Sequence, residues 1–268
     1  MCVSLVLTAC GSAERPPGGN TATAGSVPRA PTSTAVAAGT APASTRPSPP
    51  STAPATSTAP VAEVAALPTA PLPTAPVAGA PAQLDRAGAA GQAVVVAAPA
   101  YGSTTAELTT WQRAAGGWEA VHGPWPAHVG RAGFAPPGEK REGDGRTPSG
   151  AYGFEFAFGV QPDPGVALPY RRVTGPSIVW DDVPSSATYN MWVDGGVGES
   201  MYQSPAYDHG AVIAYNTART PGLGSAIFLH VSTNGPTAGC VSLPAGQLVD
   251  VLRWLDPAQA PVIVMGVG

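Results

Sequence analysis

The chain has 268 residues, a formal net charge of −4 and only 11% charged residues. Its few basic residues form no stripe, so nucleic acid is not an expected partner. Past the N-terminus there is no apolar run of transmembrane length. All aromatic residues lie between Tyr101 and Trp254, which divides the chain into two kinds of sequence.

The N-terminus reads MCVSLVLTACGS, a short apolar run that ends in small residues before Cys10. This pattern, followed by a polar segment, is similar to a bacterial lipoprotein signal, and residues 1–10 are interpreted as one. The resemblance implies a lipid anchor at Cys10. The basic residues that usually precede such a run are missing, and an ordinary secretory signal is the alternative. In both cases we expect an exported protein, and with the anchor a location at the outer face of the cytoplasmic membrane or in the cell wall.

Residues 11–90 are mostly Ala, Pro, Thr, Ser and Gly. Such a segment has little apolar surface to offset the cost of ordering it, roughly 1–2 kcal/mol per residue. It is predicted to be a disordered tether. Residues 91–268 are predicted to form one domain, which is long enough for a hydrophobic core.

This domain is predicted to be rich in short β-strands. Around Gly116-Gly117, two alternating segments indicate a hairpin. In AYGFEFAFG, residues 151–159, aromatic residues at alternate positions predict one apolar strand face. The predicted strands are 92–98, 107–113, 118–122, 124–130, 151–159, 177–180, 210–216, 226–231 and 261–267.

One late helix is predicted over residues 245–255. Leu248, Val251, Leu252 and Leu255 recur at helical spacing, and Pro244 suits the first turn. Many short strands with one helix indicate a mostly-β domain with a sandwich or barrel-like core.

Cys240 is the only cysteine outside the first ten residues, so within the predicted domain it has no disulfide partner. His230 precedes it by ten residues, at the end of an apolar strand. A loop between them can bring the two side chains together, and a His that takes the thiol proton gives a reactive thiolate–imidazolium pair. The amides of Gly239 and Cys240 could then face an oxyanion. An inert, buried cysteine is the alternative.

HVSTNGPTAGCV, residues 230–241, resembles the signature of YkuD-type L,D-transpeptidase catalytic domains, in which a His is followed by a loop and a Ser/Thr-His-Gly-Cys segment. EGDGRTPSGAYGF, residues 142–154, resembles an upstream element of the same family. GSAIFLHV, residues 224–231, is similar to exported actinobacterial-type members. The resemblance covers residues 92–268, the whole predicted domain.

The resemblance implies a mostly-β catalytic fold and attack on the L-to-D peptide bond of a peptidoglycan tetrapeptide stem. Cys240 would be the nucleophile, His230 the base, and Gly239 and Cys240 the oxyanion-hole amides. Thr237 matches the Ser/Thr of the signature and is a candidate substrate contact, and Ser232 is a candidate to orient His230, with a backbone carbonyl as the alternative. An acyl-thioester would form and D-Ala would leave. An amine would then give a cross-link, and water would give carboxypeptidase action.

The chain departs from the family pattern in ways that keep a second interpretation open. Ala238 replaces the second His of the signature, Val231 follows the base, and the Arg expected shortly after the Cys is missing. A non-catalytic, wall-binding module that retains the fold is the alternative. Sortases place their His much earlier, and NlpC-type peptidases have Cys before His, so both fit less well.

The remaining predictions concern contacts. Arg146 and Lys140 lie in a charged loop and are expected to be solvated, with Arg146 and Tyr202 as further candidate substrate contacts. The scattered histidines lack metal-ligand spacing, so no metal and no cofactor are expected. The expected partners are peptidoglycan stem peptides, and we expect a monomer.

Overall fold

The computed structural model describes residues 81–268. The predicted signal with Cys10, and residues 11–80 of the predicted tether, lie outside this range. Short 3-10 helices cover Ala82–Ala87 and Pro257–Gln259. The strands are β1 (Gln92–Ala98), β2 (Thr105–Ala114), β3 (Gly117–His128), β4 (Phe134–Ala135), β5 (Thr147–Pro148), β6 (Gly150–Gly159), β7 (Tyr170–Arg172), β8 (Ile178–Asp181), β9 (Met191–Asp194), β10 (Glu199–Ser200), β11 (Gly210–Ile213), β12 (Phe228–Val231), β13 (Val241–Leu243) and β14 (Val262–Val267), and the α-helix is α1 (Ala245–Trp254).

Nine strands form one mixed sheet in the order β11-β12-β13-β3-β2-β1-β14-β6-β7. β11 also pairs with β6, so the pairings close into a ring of eight strands with β7 attached to β6. The remaining strands form a small sheet, β10-β8-β9, and the pair β4-β5. The prediction of a mostly-β, barrel-like fold with one late helix is confirmed.

The predicted strands at 118–122 and 124–130 are a single strand, β3. The chain continues through Gly123 with a left-handed φ of +90°, and a Cβ there would lie 2.4 Å from the carbonyl oxygen of Leu108 on β2. The pairing of β2 with β3 shifts register beside this point. A glycine inside a strand therefore marks a bulge here and not a break between two strands.

The prediction that the four aromatic residues of β6 share one face is wrong. The pairing with β11 advances three residues on β6, from Ala157 to Phe154, and two on β11, so β6 contains one extra residue. Phe156 and Phe158 therefore pack in one core cluster, whereas Tyr152 and Phe154 pack against another. A bulge exchanges the two faces of a strand, which alternation alone does not indicate.

α1 covers one face of the sheet next to β11, β12 and β13. Its predicted apolar residues Leu248, Val251 and Leu252 are fully buried, and Pro244 is the N-cap. The helix places the end of β13 against the core. None of the helices in residues 81–268 has the length and apolar character needed to cross a membrane.

Residues 82–87, which the sequence places in the tether, pack onto the folded part. Leu84 and Ala87 are buried in a cluster with Val95 of β1 and Val264 of β14. Leu84 is the only large apolar residue among residues 82–87, and one such residue does not distinguish the segment by composition from the Ala-rich sequence before it.

Candidate active site

The loop of residues 232–240 returns the chain to the strand that carries His230. β12 and β13 pair in parallel, with His230 opposite Ser242. Cys240 directly precedes β13, so its neighbour on β12 is Phe228, two residues before the histidine. The two side chains predicted to react thus come from adjacent strands but are offset along them.

The Cys240 thiol is held by backbone groups. Sγ accepts a hydrogen bond from the Phe228 N–H at 3.4 Å, and the thiol donates to the carbonyl oxygen of Ala226 at 3.3 Å. The side chain is only 6% exposed. Burial raises the pKa of the Cys240 thiol to about 12, so the group is protonated near neutral pH.

The His230 ring is a neutral imidazole with a defined tautomer. Nδ1 lies 2.8 Å from the carbonyl oxygen of Val231. Because a carbonyl only accepts, Nδ1 carries the proton and Nε2 keeps its lone pair. Burial lowers the pKa of His230, and the Val231 and Ala206 carbonyls oppose this shift.

The thiolate–imidazolium pair expected from the spacing is therefore not the charge state of this conformation. In both Cys240 and His230 burial favours the neutral form. Within residues 81–268, no hydrogen bond joins Sγ to the imidazole; the thiol donates to Ala226 instead. The structure brings the two side chains to one region without joining them.

Tyr207 connects the two sides of this region, a contact that nothing in the sequence indicates. Its ring packs edge-on against His230, with centroids 5.4 Å apart, and lines the pocket that contains Cys240. The phenol donates to Glu199 Oε1 at 3.0 Å. Burial raises the pKa of Tyr207 well above its usual value, so Tyr207 is neutral between the histidine and the thiol.

The turn that ends at Cys240 is ordered by Thr237. Its hydroxyl donates to the Cys240 carbonyl oxygen at 2.7 Å and accepts the Gly239 N–H at 3.1 Å. The Gly239 amide is thus occupied, whereas the Cys240 N–H has no acceptor among residues 81–268. Of the two predicted oxyanion-hole amides, the Cys240 N–H is the one available in this conformation.

Gly239 is required at its position by geometry. Its φ of +155° lies in a region that L-residues rarely adopt, and a Cβ would lie 2.9 Å from the carbonyl oxygen of Arg146. The backbone of the 142–154 segment therefore lies directly against the residue before Cys240.

Thr147 is the second residue that holds the Cys240 carbonyl. Its fully buried hydroxyl donates to the Cys240 carbonyl oxygen at 3.1 Å and accepts the Gly130 N–H at 2.9 Å. Two threonine hydroxyls thus share one carbonyl oxygen. The sequence shows Thr147 as part of the upstream motif, but nothing in the sequence indicates which atom it contacts.

A pocket of about 180 Å³ opens beside the thiol. Lys140 lines it and was expected to be solvated; instead it is 5% exposed and paired with Asp144 at 2.7 Å. The pocket carries charged groups of both signs close to the Cys240 thiol. The lining residues are Arg131, Lys140, Glu142, Gly143, Asp182, Glu199, Tyr207, Ser225, Ala226, Ile227, Ala238, Gly239 and Cys240.

The other predicted site residues lie away from the thiol. The Ser232 hydroxyl accepts the Asn234 N–H at 3.0 Å, so a backbone carbonyl and not Ser232 orients His230. Arg146 is half-buried and Tyr202 is exposed, and neither lines the pocket; their contacts with substrate stay predictions. In the part of the chain that the structure describes, no group of His, Cys, Asp or Glu side chains could hold a metal ion.

Comparison with protein-family models identifies one match. Residues 103–264 match the model named YkuD, described as the L,D-transpeptidase catalytic domain. The matched range includes both motifs and runs from the segment before β2 into β14. A search of curated proteins finds no match. A search of solved structures finds none either.

Proposed function

Since the chain belongs to the YkuD family of L,D-transpeptidase catalytic domains, we propose that it is a peptidoglycan-modifying cysteine acyltransferase with Cys240 as nucleophile and His230 as base. The main support is that one residue from each of the two motifs contacts the same atom. Thr147 and Thr237 both donate to the carbonyl oxygen of Cys240. This arrangement fixes the backbone of a thiol-bearing residue at the edge of a pocket.

In the proposed acylation, the thiol leaves the Ala226 carbonyl and His230 Nε2 takes its proton. Sγ bonds to the carbonyl carbon of the L-to-D peptide bond of a tetrapeptide stem, and the Cys240 N–H stabilises the oxyanion. The bond from this carbon to the D-Ala nitrogen then breaks, and His230 returns the proton to the leaving amine.

The acyl-thioester is resolved by a second nucleophile. An amine from a neighbouring stem gives a cross-link, and water gives a shortened stem. In each case His230 takes a proton from the incoming group and returns it to the thiolate. The tautomer supports this role, because Nδ1–H is engaged by Val231 and Nε2 keeps the lone pair that a base requires.

The proposed function is tested by incubating the full chain with tetrapeptide stems and, separately, with a carbapenem, and following Cys240 by peptide mass spectrometry. We expect an acyl adduct on Cys240 and release of D-Ala. Cys240→Ala should abolish both. His230→Gln should slow acylation roughly 10²–10⁴-fold, the usual contribution of a general base.

Ser232→Ala is the matched control, because it removes a hydroxyl two residues from His230 that contacts only the loop. It should acylate at the wild-type rate within about twofold. An inert Cys240 in folded wild-type protein, with both acyl donors, would rule out the acyltransferase.

The non-catalytic wall-binding module is the second candidate, and two observations favour it. The thiol is buried with a raised pKa, and the Gly239 amide is occupied by Thr237. This alternative expects wild type and Cys240→Ala to co-sediment equally with purified peptidoglycan, with no adduct formed. The acyltransferase expects an adduct in wild type alone.

We also propose that the domain is exported and tethered through a lipid at Cys10. This residue lies outside the described range, and the support is the sequence pattern before it. Metabolic labelling with a radiolabelled fatty acid should mark the wild-type chain and leave Cys10→Ser unlabelled. Equal labelling of both chains would exclude Cys10 as the lipidated residue.

A further inference from the structure

The carbonyl that accepts the thiol proton belongs to a residue in an unusual conformation. Ala226 has a φ of +53°, in the left-handed region that is unfavourable for a residue with a Cβ. Gly224, two residues earlier, also has a positive φ, +102°. Such a conformation persists only where the surroundings hold it, and it occurs often at functional sites.

Asn190 holds Ala226 from one side. Its Oδ1 accepts the Ala226 N–H at 3.2 Å and the indole N–H of Trp180 at 2.8 Å. Its Nδ2 donates to the carbonyl oxygens of Tyr215 and Asn216 at 3.1 and 3.0 Å. These four bonds fix the direction of the amide, and the side chain is 9% exposed. Ala226 is thus anchored to a buried group on another part of the chain.

Glu142 holds the residues just before Ala226. Its Oε2 accepts hydrogen bonds from the Tyr189 phenol and, at 2.7 Å, from the Ser225 hydroxyl. The Tyr189 oxygen in turn accepts the Gly224 N–H at 3.2 Å. Residues 224–226 are therefore fixed at three successive positions, all by groups that take no part in the proposed proton transfers.

We propose that Asn190 and Glu142 are positioning residues that hold the Ala226 carbonyl against the nucleophilic thiol. The carbonyl keeps the resting thiol protonated and turned away from His230 until a substrate displaces it. The role in catalysis rests on the proposed function, because it takes Cys240 as the nucleophile. The effect on the thiol itself does not depend on that function.

The test measures iodoacetamide alkylation of Cys240 in the full chain as a function of pH, using the mass of the peptide that contains Cys240. Asn190→Gly removes the acceptor for Ala226 and tolerates the left-handed φ of +56° at this position. Once Ala226 is no longer held, its carbonyl oxygen moves away from Sγ, and the protonated thiol loses the hydrogen bond that it donates to this carbonyl. We expect a lower apparent pKa and alkylation roughly three- to tenfold faster at pH 8.

Two further variants separate positioning from general loosening. Thr188→Val removes hydroxyl contacts with Asp181 and Ser186 two residues from Asn190 but does not touch residues 224–226. It should leave the pH profile unchanged. Ser225→Ala removes one of the two donors to Glu142 and should accelerate alkylation about twofold, and it also provides the test if Asn190→Gly does not fold.

Wild-type alkylation kinetics in Asn190→Gly, or an equal acceleration in Thr188→Val, would overturn the proposal. If Asn190→Gly does not fold, an unchanged Ser225→Ala would do the same. Carbapenem acylation of the wild type is measured in parallel. Its failure would refute the acyltransferase and leave the alkylation comparison intact, so the two ideas can fail separately.

Discussion

His230 and Cys240 are held in place by different kinds of contact. His230 lies within β12, and its ring is oriented by the carbonyl of the next residue, Val231. The carbonyl of Cys240 is held by Thr237, three residues away, and by Thr147, which is 93 residues away in the sequence. His230 is thus placed by local geometry, whereas the position of Cys240 depends on a distant segment. Changes in residues 142–154 should therefore disturb Cys240 more than changes beside His230 disturb the imidazole.

The largest effect is expected where the distant segment contacts the turn that ends at Cys240. Gly239→Ala places a Cβ 2.9 Å from the Arg146 carbonyl oxygen, at a φ that alanine rarely adopts. We expect the free energy of unfolding to fall by roughly 2–4 kcal/mol, measured by urea denaturation.

The matched control for this change lies in the same loop. A Cβ at Gly235 would meet no atom within 4 Å, so Gly235→Ala should change stability by less than about 1 kcal/mol. Equal stability of the two variants would show that the segment around Arg146 adjusts at little cost and does not constrain the turn before Cys240.

The second comparison is between two hydroxyl groups, that of Thr147, which contacts Cys240, and that of Ser232, two residues after His230. Thr147→Val keeps the side-chain shape but leaves the buried Gly130 N–H without its acceptor, which should cost about 1–3 kcal/mol in the free energy of unfolding. Ser232→Ala removes a half-exposed, local contact and should cost about 0.5 kcal/mol or less. A cost for Ser232→Ala that equals or exceeds that of Thr147→Val would contradict the contrast between distant and local support.

The third effect is a dependence of stability on alkaline pH. Burial raises the pKa of Cys240 from 9.0 to about 12. Below pH 9 the thiol is protonated in both the folded and the unfolded chain. Between pH 9 and 12 only the unfolded chain loses the proton, so the folded state loses stability, by roughly 1 kcal/mol at pH 10.

This loss is isolated by comparing wild type with Cys240→Ala in urea denaturation at pH 7 and pH 10, because the two proteins differ only in the side chain at position 240. The stability difference between the two proteins should shift against the wild type at pH 10. No shift would mean that the fold does not raise the pKa of Cys240. A shift toward the wild type would mean that Cys240 is already ionised in the fold, as in a thiolate–imidazolium pair.

The sequence predicts most of the strands, the helix and the two motifs because each of these is a local pattern. It does not predict six strands of at most four residues each, β4, β5, β7, β9, β10 and β13. α1 follows from the spacing of Leu248 and Leu252, and β12 from the apolar run before His230. The errors are of another kind. The bulge in β6 depends on pairing with β11, and the burial of Lys140 depends on its ion pair with Asp144.

The candidate site shows the same division. Cys240 and His230 are evident from a lone cysteine and a nearby histidine in an apolar strand. The contact of Thr147 with the Cys240 carbonyl, the position of Tyr207 and the acceptor at Ala226 all join segments that are distant in sequence. The charge states of Cys240 and His230 follow from burial, and the burial of both side chains depends on the complete fold.

The smallest expected effect concerns His230, whose ring is held by a local contact. Burial lowers the pKa of His230, and the Val231 carbonyl opposes this by holding the Nδ1 proton. The charged ring is therefore disfavoured in the fold, so stability present above pH 6.5 is lost as the pH falls below this value. An NMR titration of the ring protons, assigned with His230→Gln, should give a pKa below 6.5 in wild type.

In Cys240→Ala the His230 pKa should be nearly unchanged, because no hydrogen bond joins the two side chains in the part of the chain that the structure describes. A large change would show that thiol and imidazole share a proton in solution, and the nucleophile would then be activated before substrate binds.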